Sequence, residues 1–137
     1  MLKQLSIYVE NKKGTMKDIT SILKDKKINI LGSVNNDGAE FGIVRMVVSD
    51  PDGAYKELKE AGYLCRLVDV MGIEVADEVG DLNRLLTALS DSNINVDYTY
   101  LSFNRDSGKP ILIMHVTEED IYEVEACMNA KGFAPVS

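Results

Sequence analysis

The sequence has no tryptophan, one histidine, two cysteines and three prolines. Each scarcity removes a class of function. His115 is the only imidazole, so a histidine-rich zinc site or a Cys-His catalytic pair has nothing else to draw on. It sits in the apolar run Ile111-Leu112-Ile113-Met114-His115-Val116 and is expected to face partly outward on a strand. Cys65 and Cys127 are too few and too far apart for a disulfide framework or a CxxC metal site, and two buried or half-buried thiols are expected. No apolar run approaches the roughly 18 residues a membrane-spanning helix needs. Met1-Leu2-Lys3-Gln4 leads straight into an alternating pattern rather than a signal-peptide core, so a cytoplasmic location is expected. Basic charge is also short. A net charge of −7 leaves no surface suited to neutralising phosphates, which argues against a nucleic-acid partner. GxGxxG and GxxxxGK[ST] patterns are missing, as is any base–nucleophile pair or metal cluster. The expectation is a non-enzyme with no catalytic residue, no metal and no cofactor.

What the sequence does have is a repeat. Gly14-Thr15-Met16, an apolar-periodic run, and Lys27-Ile28-Asn29-Ile30-Leu31 return as Gly80-Asp81-Leu82, a second such run, and Asn93-Ile94-Asn95-Val96-Asp97. At a common offset of 66, Gly14/Gly80, Leu23/Leu89, Asp25/Asp91, Ile28/Ile94 and Asn29/Asn95 are identical pairs. A duplicated small domain follows, residues 1–69 and 70–137. Units of this size lie near the lower limit for an independent core, so they are expected to pack together, and a homodimer is plausible. Charge is unevenly shared. Residues 1–68 carry 11 Lys/Arg against 9 Asp/Glu, and residues 69–137 carry 4 against 13. Halves of opposite sign are expected to attract one another, and their equivalent sites are expected not to bind alike.

Taken in order, Leu5, Ile7 and Val9 alternate with Ser6 and Tyr8 as a half-buried strand. Met16, Ile19, Ile22 and Leu23 mark a helix, with Thr15 its candidate N-cap. Ile28 to Asn35 and Phe41 to Ser49 read as strands joined by the turn signal Asn36-Asp37-Gly38. Asp50-Pro51 opens a second helix, Ala54, Leu58 and Ala61 line it, and Gly62 ends it. Leu64 to Asp69 is a fourth strand, running with almost no break into Val70 to Ala76. In the second copy Asp81 is a candidate cap, and Leu82, Leu85, Leu86 and Leu89 form the helix stripe. Ile94 to Phe103 and Ile111 to Val116 are strands. Thr117 and Asp120 resemble a capping box for a last helix carrying Ile121, Val124 and Met128 and closed by Gly132. The final strand, after Phe133, is short or absent. Each copy is thus βαββαβ, an α+β, ferredoxin-like arrangement. Tyr98, Tyr100 and Phe103 form a partial aromatic stripe whose acidic surroundings do not suit RNA. It reads better as sheet surface buried in a dimer.

A strand, a turn ending in Gly and a helix start together make an anion-binding feature, because the first helical N–H groups lack partners and the dipole is positive there. Asn29 and Asn95 recur at the start of the second strand, where an amide can donate and accept. They equally suit a turn or a helix exit.

Strand, Asn-x-x-Gly, helix, then Ile-Asn-Ile in the second strand resembles the ACT domain, a small-molecule-sensing module of amino-acid metabolism. The duplication is similar to tandem-ACT proteins that carry no catalytic domain. The resemblance implies antiparallel sheets pairing side by side with helices on one face. It also implies an amino acid bound between paired domains, held by the first loop and helix start of one and the second strand of the other. By position it assigns Asn11, Lys12, Lys13, Gly14, Thr15 and Met16, with Asn29, Ile30 and Leu31, in the first copy. In the second it assigns Asp77, Val79, Gly80, Asp81 and Leu82, with Asn95, Val96 and Asp97. Lys13 and Val79 stand where the family often has proline. Lys12 and Lys13 favour a ligand carboxylate at the first loop. Asp77, Glu78 and Asp81 repel one at the second and suit an ammonium or a basic side chain. Two functions follow as expectations: a regulatory amino-acid sensor that reports to an enzyme or other protein partner, or an assembly module with no small-molecule ligand.

Overall fold

The computed structural model describes residues 2–10, 12–37 and 41–136. Its strands are β1 (Leu2–Glu10), β2 (Ile30–Asp37), β3 (Phe41–Val48), β4 (Leu64–Glu74), β5 (Tyr98–Phe103), β6 (Pro110–His115) and β7 (Ala134–Val136). The helices are α1 (Thr15–Asp25), α2 (Pro51–Glu60), α3 (Asp81–Asp91) and α4 (Ile121–Ala130), the last preceded by a 3-10 turn, Glu118–Asp120. The chain divides into two compact units, Lys3–Val68 and Asp69–Ser137, the latter also taking in Leu2.

The two units have the same strand order. In the first it is β2-β3-β1-β4, and in the second β5-β6-β4-β7. β4 is therefore both the fourth strand of one repeat and the first of the next, as the continuous run from Leu64 implies. The registers given for β1/β3, β2/β3, β4/β6, β4/β7 and β5/β6 are all antiparallel. Each unit builds its core between the helices and one sheet face. In the first, Leu5, Ile7, Val44 and Met46 meet Ile19 and Leu23 of α1 and Ala54 and Leu58 of α2. In the second, Met71, Ile73, Leu112 and Met114 meet Leu85, Leu89, Val124 and Met128. Each fully buried Leu, Ile or Met contributes roughly 1.5–3 kcal/mol. Leu82 and Leu86, counted in the α3 stripe, remain 38% and 42% exposed.

All four helices end alike. The residue after the C-cap turns into the left-handed region, and its N–H and the next bond back to the last turn. Ile28 N–H reaches Leu23, Tyr63 reaches Leu58, Ile94 reaches Leu89 and Phe133 reaches Met128. Gly62 and Gly132 serve this role as expected, but Lys27 (φ 59°) and Asn93 (φ 57°) do so in the other two. Ile28 and Ile94 are thereby committed to helix closure. For this reason β2 begins at Ile30 rather than Ile28, and β5 at Tyr98 rather than Ile94.

Several other expectations change. Thr15 and Asp81 are first residues of their helices, not caps, because Gly14 (φ 88°) and Gly80 (φ 87°) take the N-cap positions. The Thr15 hydroxyl instead donates to the Lys12 carbonyl at 3.0 Å. Asp50 does cap α2, accepting from Gly53 N–H at 3.1 Å. Thr117 and Asp120 form no capping box, since the 3-10 turn intervenes and neither side chain makes a cap hydrogen bond. β2 runs on through Asn36 and Asp37, while Gly38 lies outside the described residues. The aromatic stripe is split by strand alternation: Tyr98 and Tyr100 pair opposite His115 and Ile113, whereas Phe103 belongs to the other face with Leu101. The last strand is short but present, pairing Val136 with Gly72.

Candidate functional site

The two repeats present the same backbone feature with different chemistry. At α1 the first intrahelical bond is Asp18 N–H to Gly14, and Thr15 N–H is taken by Lys12. Met16 and Lys17 N–H, the next two donors, have no partner among the described residues, and no side chain caps the helix. Uncapped donors at a helix start attract a carboxylate. This helix start opens on a cleft of about 330 Å³ that Lys12, Gly14, Thr15 and Met16 line together with Glu10 and Lys17. Asn35 and Asn36 of β2 and Gly42 of β3 form its strand side. A Cβ at Gly42 would lie 2.9 Å from the Asn36 carbonyl oxygen, so glycine keeps the two backbones close. Lys12 Nζ sits 2.6 Å from Glu10 Oε2, both exposed. The hydrogen bond to that carboxylate, with its charge, raises the Lys12 pKa. A second cleft of about 520 Å³ flanks the other side of the loop, where Tyr8 and Tyr63 join Glu10, Lys12 and Thr15.

The remaining first-copy residues lie elsewhere. Asn29, Ile30 and Leu31 are at the start of β2, whereas the cleft takes Asn35 and Asn36 near its end. That separation is roughly 20 Å of extended chain, so one unit does not bring the two halves of the assigned site together. Asn29 exchanges backbone contacts with Ser49, receiving at its carbonyl from Ser49 N–H and donating its N–H to Ser49 Oγ, both at 2.9 Å. Leu31 is the extra residue of a bulge, since Ile30 and Gly32 face the adjacent Val48 and Val47; bulges re-aim side chains. Lys13 is exposed and does not line the cleft. Asn11 lies outside the described residues. Asn35, Asn36 and Glu10 carried no sequence signal of their own, and only the hairpin register brings the two amides to the cleft.

In the second unit the loop closes on itself. Asp81 Oδ2 accepts Ala76 N–H at 2.6 Å, and its Oδ1 meets Arg84 Nε at 3.1 Å. The backbone hydrogen bond first, then Arg84, lowers the Asp81 pKa. Arg84 also lies over the Phe133 ring, 4.2 Å from its centroid. A carboxylate is thus held beside this helix start, although Leu82 and Asn83 N–H, like Met16 and Lys17 N–H, have no partner among the described residues. Asp77, Val79 and Gly80 are exposed around it, and Leu82 follows in the first turn of α3. Asp97 reaches His115, Oδ2 to Nδ1 at 2.7 Å, and the imidazole stacks on Tyr98 at 5.1 Å. His115 is half-buried as expected. Asp81, one of the acidic groups expected to hold an ammonium, and Asp97, assigned by position to the second strand of the site, therefore have partners of their own. Asn95 and Val96 precede β5, and Asn95 lines a different cleft, beside the end of α3. Among the described residues no group of three or more His, Cys, Asp or Glu is placed to hold a metal ion. No helix among the described residues is long and apolar enough to cross a membrane.

Each copy is a βαββαβ unit whose first helix is capped by a glycine. Residues 1–130 match the family described as an ACT domain pair. The chain belongs to that family. Protein BT0572 from Bacteroides thetaiotaomicron is similar over 98% of this chain and 91% of its own, at 31% identity and a TM-score of 0.86. The regulatory subunit of aspartate kinase from Thermus thermophilus shares the fold at 14% identity and a TM-score of 0.67, covering 94% of this chain and 89% of that one. The Thermus flavus regulatory subunit does so at 15% identity and 0.62, covering 95% and 91%. No curated protein matches the sequence. The two copies differ in the charge beside the same uncapped helix start, mixed at Lys12 and Glu10 in one and a carboxylate held by Ala76 and Arg84 in the other.

Proposed function

We propose that this ACT domain pair is a non-catalytic regulatory sensor whose first unit binds a free amino acid. The observation that carries the reading is the uncapped start of α1 in a cleft that also holds a cation and an anion. An amino acid's carboxylate suits Met16 and Lys17 N–H beside Lys12, and its ammonium suits Glu10 and the Asn35 and Asn36 carbonyl groups. The cleft is in the size range of small-molecule sites. Gly14, Thr15 and Met16 shape its mouth. The start of β2 in a second copy, with Asn29, Ile30 and the bulged Leu31, completes it. The second-unit loop, Asp77 to Leu82, is the weaker site because the Asp81 carboxylate, held beside the helix start by Ala76 N–H and Arg84, repels an incoming carboxylate.

Pairing with a second copy has its own support. β5 ends the strand order of its unit, and Leu101 and Phe103 on it are each 51% exposed. With Leu82 and Leu86 they are apolar groups that association would cover. A soluble, cytoplasmic homodimer reporting to a regulated enzyme is the setting this reading supports.

The test is a thermal-shift screen against the twenty amino acids, with mass in solution measured in parallel. A ligand that binds only the folded state adds RT ln(1 + [L]/Kd), about 2.7 kcal/mol at a hundredfold excess over Kd. A shift confined to one amino acid or a related few supports the sensor. A flat response from a stable dimer moves the function to assembly.

A further inference from the structure

We infer that the first helical residue after the loop, Thr15 in one copy and Asp81 in the other, decides whether that helix start takes a carboxylate. Thr15 leaves α1 open to one, and Asp81 bars one from α3. This rests on the amino-acid reading of the α1 cleft and adds the side chain that sets its selectivity.

The two loops have the same backbone. At the common offset of 66, Glu10, Lys12, Gly14, Thr15 and Asp18 correspond to Ala76, Glu78, Gly80, Asp81 and Arg84. Gly14 (φ 88°, ψ −4°) and Gly80 (φ 87°, ψ −5°) make the same turn. Thr15 N–H reaches the Lys12 carbonyl at 3.3 Å, and Asp81 N–H reaches the Glu78 carbonyl at 3.2 Å. Asp18 N–H closes on Gly14 at 3.0 Å, and Arg84 N–H closes on Gly80 at 2.9 Å. Both helix starts therefore keep the same two donors without a partner among the described residues, at Met16 and Lys17 in one and at Leu82 and Asn83 in the other. Backbone geometry does not tell the two copies apart.

What differs is the side chain that ties the helix back to the end of its strand. In the first copy the Thr15 hydroxyl donates to the Lys12 carbonyl at 3.0 Å, with the Glu10 carbonyl at 3.4 Å as a second acceptor. In the second the direction reverses. Asp81 accepts Ala76 N–H at 2.6 Å, and Arg84 Nε lies 3.1 Å from its other oxygen. A hydroxyl ties the loop without charge, whereas a carboxylate ties it with a full negative one. The Ala76 bond first, then Arg84, holds the Asp81 carboxyl below the usual carboxylate range, so it is ionised near neutrality. Its side chain is only 14% exposed, against 72% for Lys12, and Asp77 and Glu78 are exposed. Water and salt screen exposed charges far more than buried ones, so the fixed carboxylate of Asp81 outweighs its acidic neighbours. Arg84, lying over the Phe133 ring, is spent on Asp81. Once Asp81 is neutral, the guanidinium becomes a free cation in the same first turn as Leu82 and Asn83 N–H.

The test follows backbone amides of the labelled full chain by proton–nitrogen correlation spectra. Sodium acetate, the minimal carboxylate, is titrated against sodium chloride at equal ionic strength. In the wild type the Met16 and Lys17 amides shift saturably with acetate, and those of Leu82 and Asn83 do not. Thr15→Asp weakens the Met16 and Lys17 response by roughly tenfold or more. Thr15→Asn, which matches aspartate in shape without its charge, and Thr15→Ser, which keeps the hydroxyl, both preserve it. Asp81→Asn gives Leu82 and Asn83 a saturable response, and Asp81→Thr, which copies the first loop, does the same. Leu82 and Asn83 amides that stay silent in the folded Asp81 variants, or a Met16 response untouched by Thr15→Asp, overturn the inference and leave the amino-acid reading standing. Wild-type Met16 and Lys17 amides that ignore acetate overturn that reading and the inference with it.

Discussion

Gly14→Asp and Gly80→Asp form a matched pair that separates the two repeats. Both glycines are N-caps in the left-handed region, at φ 88° and 87°, and a Cβ at either meets nothing within 4 Å. The substitutions therefore differ neither in crowding nor in backbone geometry. Each holds an L-residue in the left-handed region, at about 1 kcal/mol or more, partly offset by favourable charge at a helix start. Both variants should lose about the same stability without ligand. Ligand response should not match. Aspartate at position 14 adds a carboxylate beside Met16 and Lys17 N–H, where the ligand's own is proposed to sit. Like charges about 4 Å apart repel by roughly 1–4 kcal/mol between bulk water and a partly shielded surface, and about 2.7 kcal/mol is a hundredfold in affinity. At a concentration a hundred times the wild-type Kd, ligand stabilisation then falls from about 2.7 to about 0.4 kcal/mol. In melting temperature that is a drop from roughly 10 °C to 1–2 °C. Gly80→Asp, in a loop that already holds Asp81, should retain most of the wild-type shift. The assay is thermal unfolding with and without the amino acid found by screening. A variant Gly14→Asp that keeps the shift while Gly80→Asp loses it would refute the assignment of the site to the first unit.

Three further outcomes follow from the structure. Lys27→Gly should stabilise the chain by about 0.5–1 kcal/mol, because Lys27 is exposed and held at φ 59° where glycine is unstrained; chemical denaturation at constant m-value checks it. Asp50→Ala should cost about 1 kcal/mol, the loss of the one side-chain cap among α1 to α4, read in the same way. Asp81→Asn tests the latch of the second loop through pH. The folded pKa of Asp81 is depressed, so its contribution is fully present above the unfolded value of about 3.9 and is lost as pH falls through the folded value below it. The stability difference between wild type and Asp81→Asn should be constant near neutrality and shrink in acid below about pH 4, and a difference that grows in acid would contradict the assignment.

Most of the fold was legible because periodicity and punctuation agree in both copies. The α1 stripe, the Asp50-Pro51 start of α2 and the closing glycines Gly62 and Gly132 each act through local chemistry that a sequence displays. The errors share a physical cause. Ile28 and Ile94 have the composition of strand residues, yet each seals a helix end whose left-handed position is filled by Lys27 or Asn93 rather than glycine. Thr15 and Asp81 are residue types that cap helices, but the glycine before each has already made the turn. For the candidate site, the repeated loop glycine and the adjacent lysine were visible. Glu10, Asn35 and Asn36 were not, since what brings them to the cleft is the pairing of β1 and β2 with β3, long-range registers that no local pattern carries.

The repeat also supplies an argument about function that neither copy gives alone. Two units with the same strand order and the same helix closures start from the same physical options, so their differences isolate what each has been fitted to do. At the first helix start both copies leave their backbone donors uncapped, but Lys12 and Glu10 stand beside them in one, and in the other the carboxylate of Asp81, held by Ala76 N–H and Arg84. At the far end of that helix the partners differ too. The first copy pairs Lys26 with Glu57, and the second pairs Cys127 with Ser92 in a cleft that Asp120 and Glu123 also line. Fold stability does not require this exchange, because both cores close without it. Charge follows the same division, with the basic excess in residues 1–68 and the acidic excess in residues 69–137. A protein that used both copies for one ligand at one kind of site would have had reason to keep them alike. The unequal charge at the two helix starts accords with the proposed amino-acid site at the start of α1 rather than with two equivalent sites.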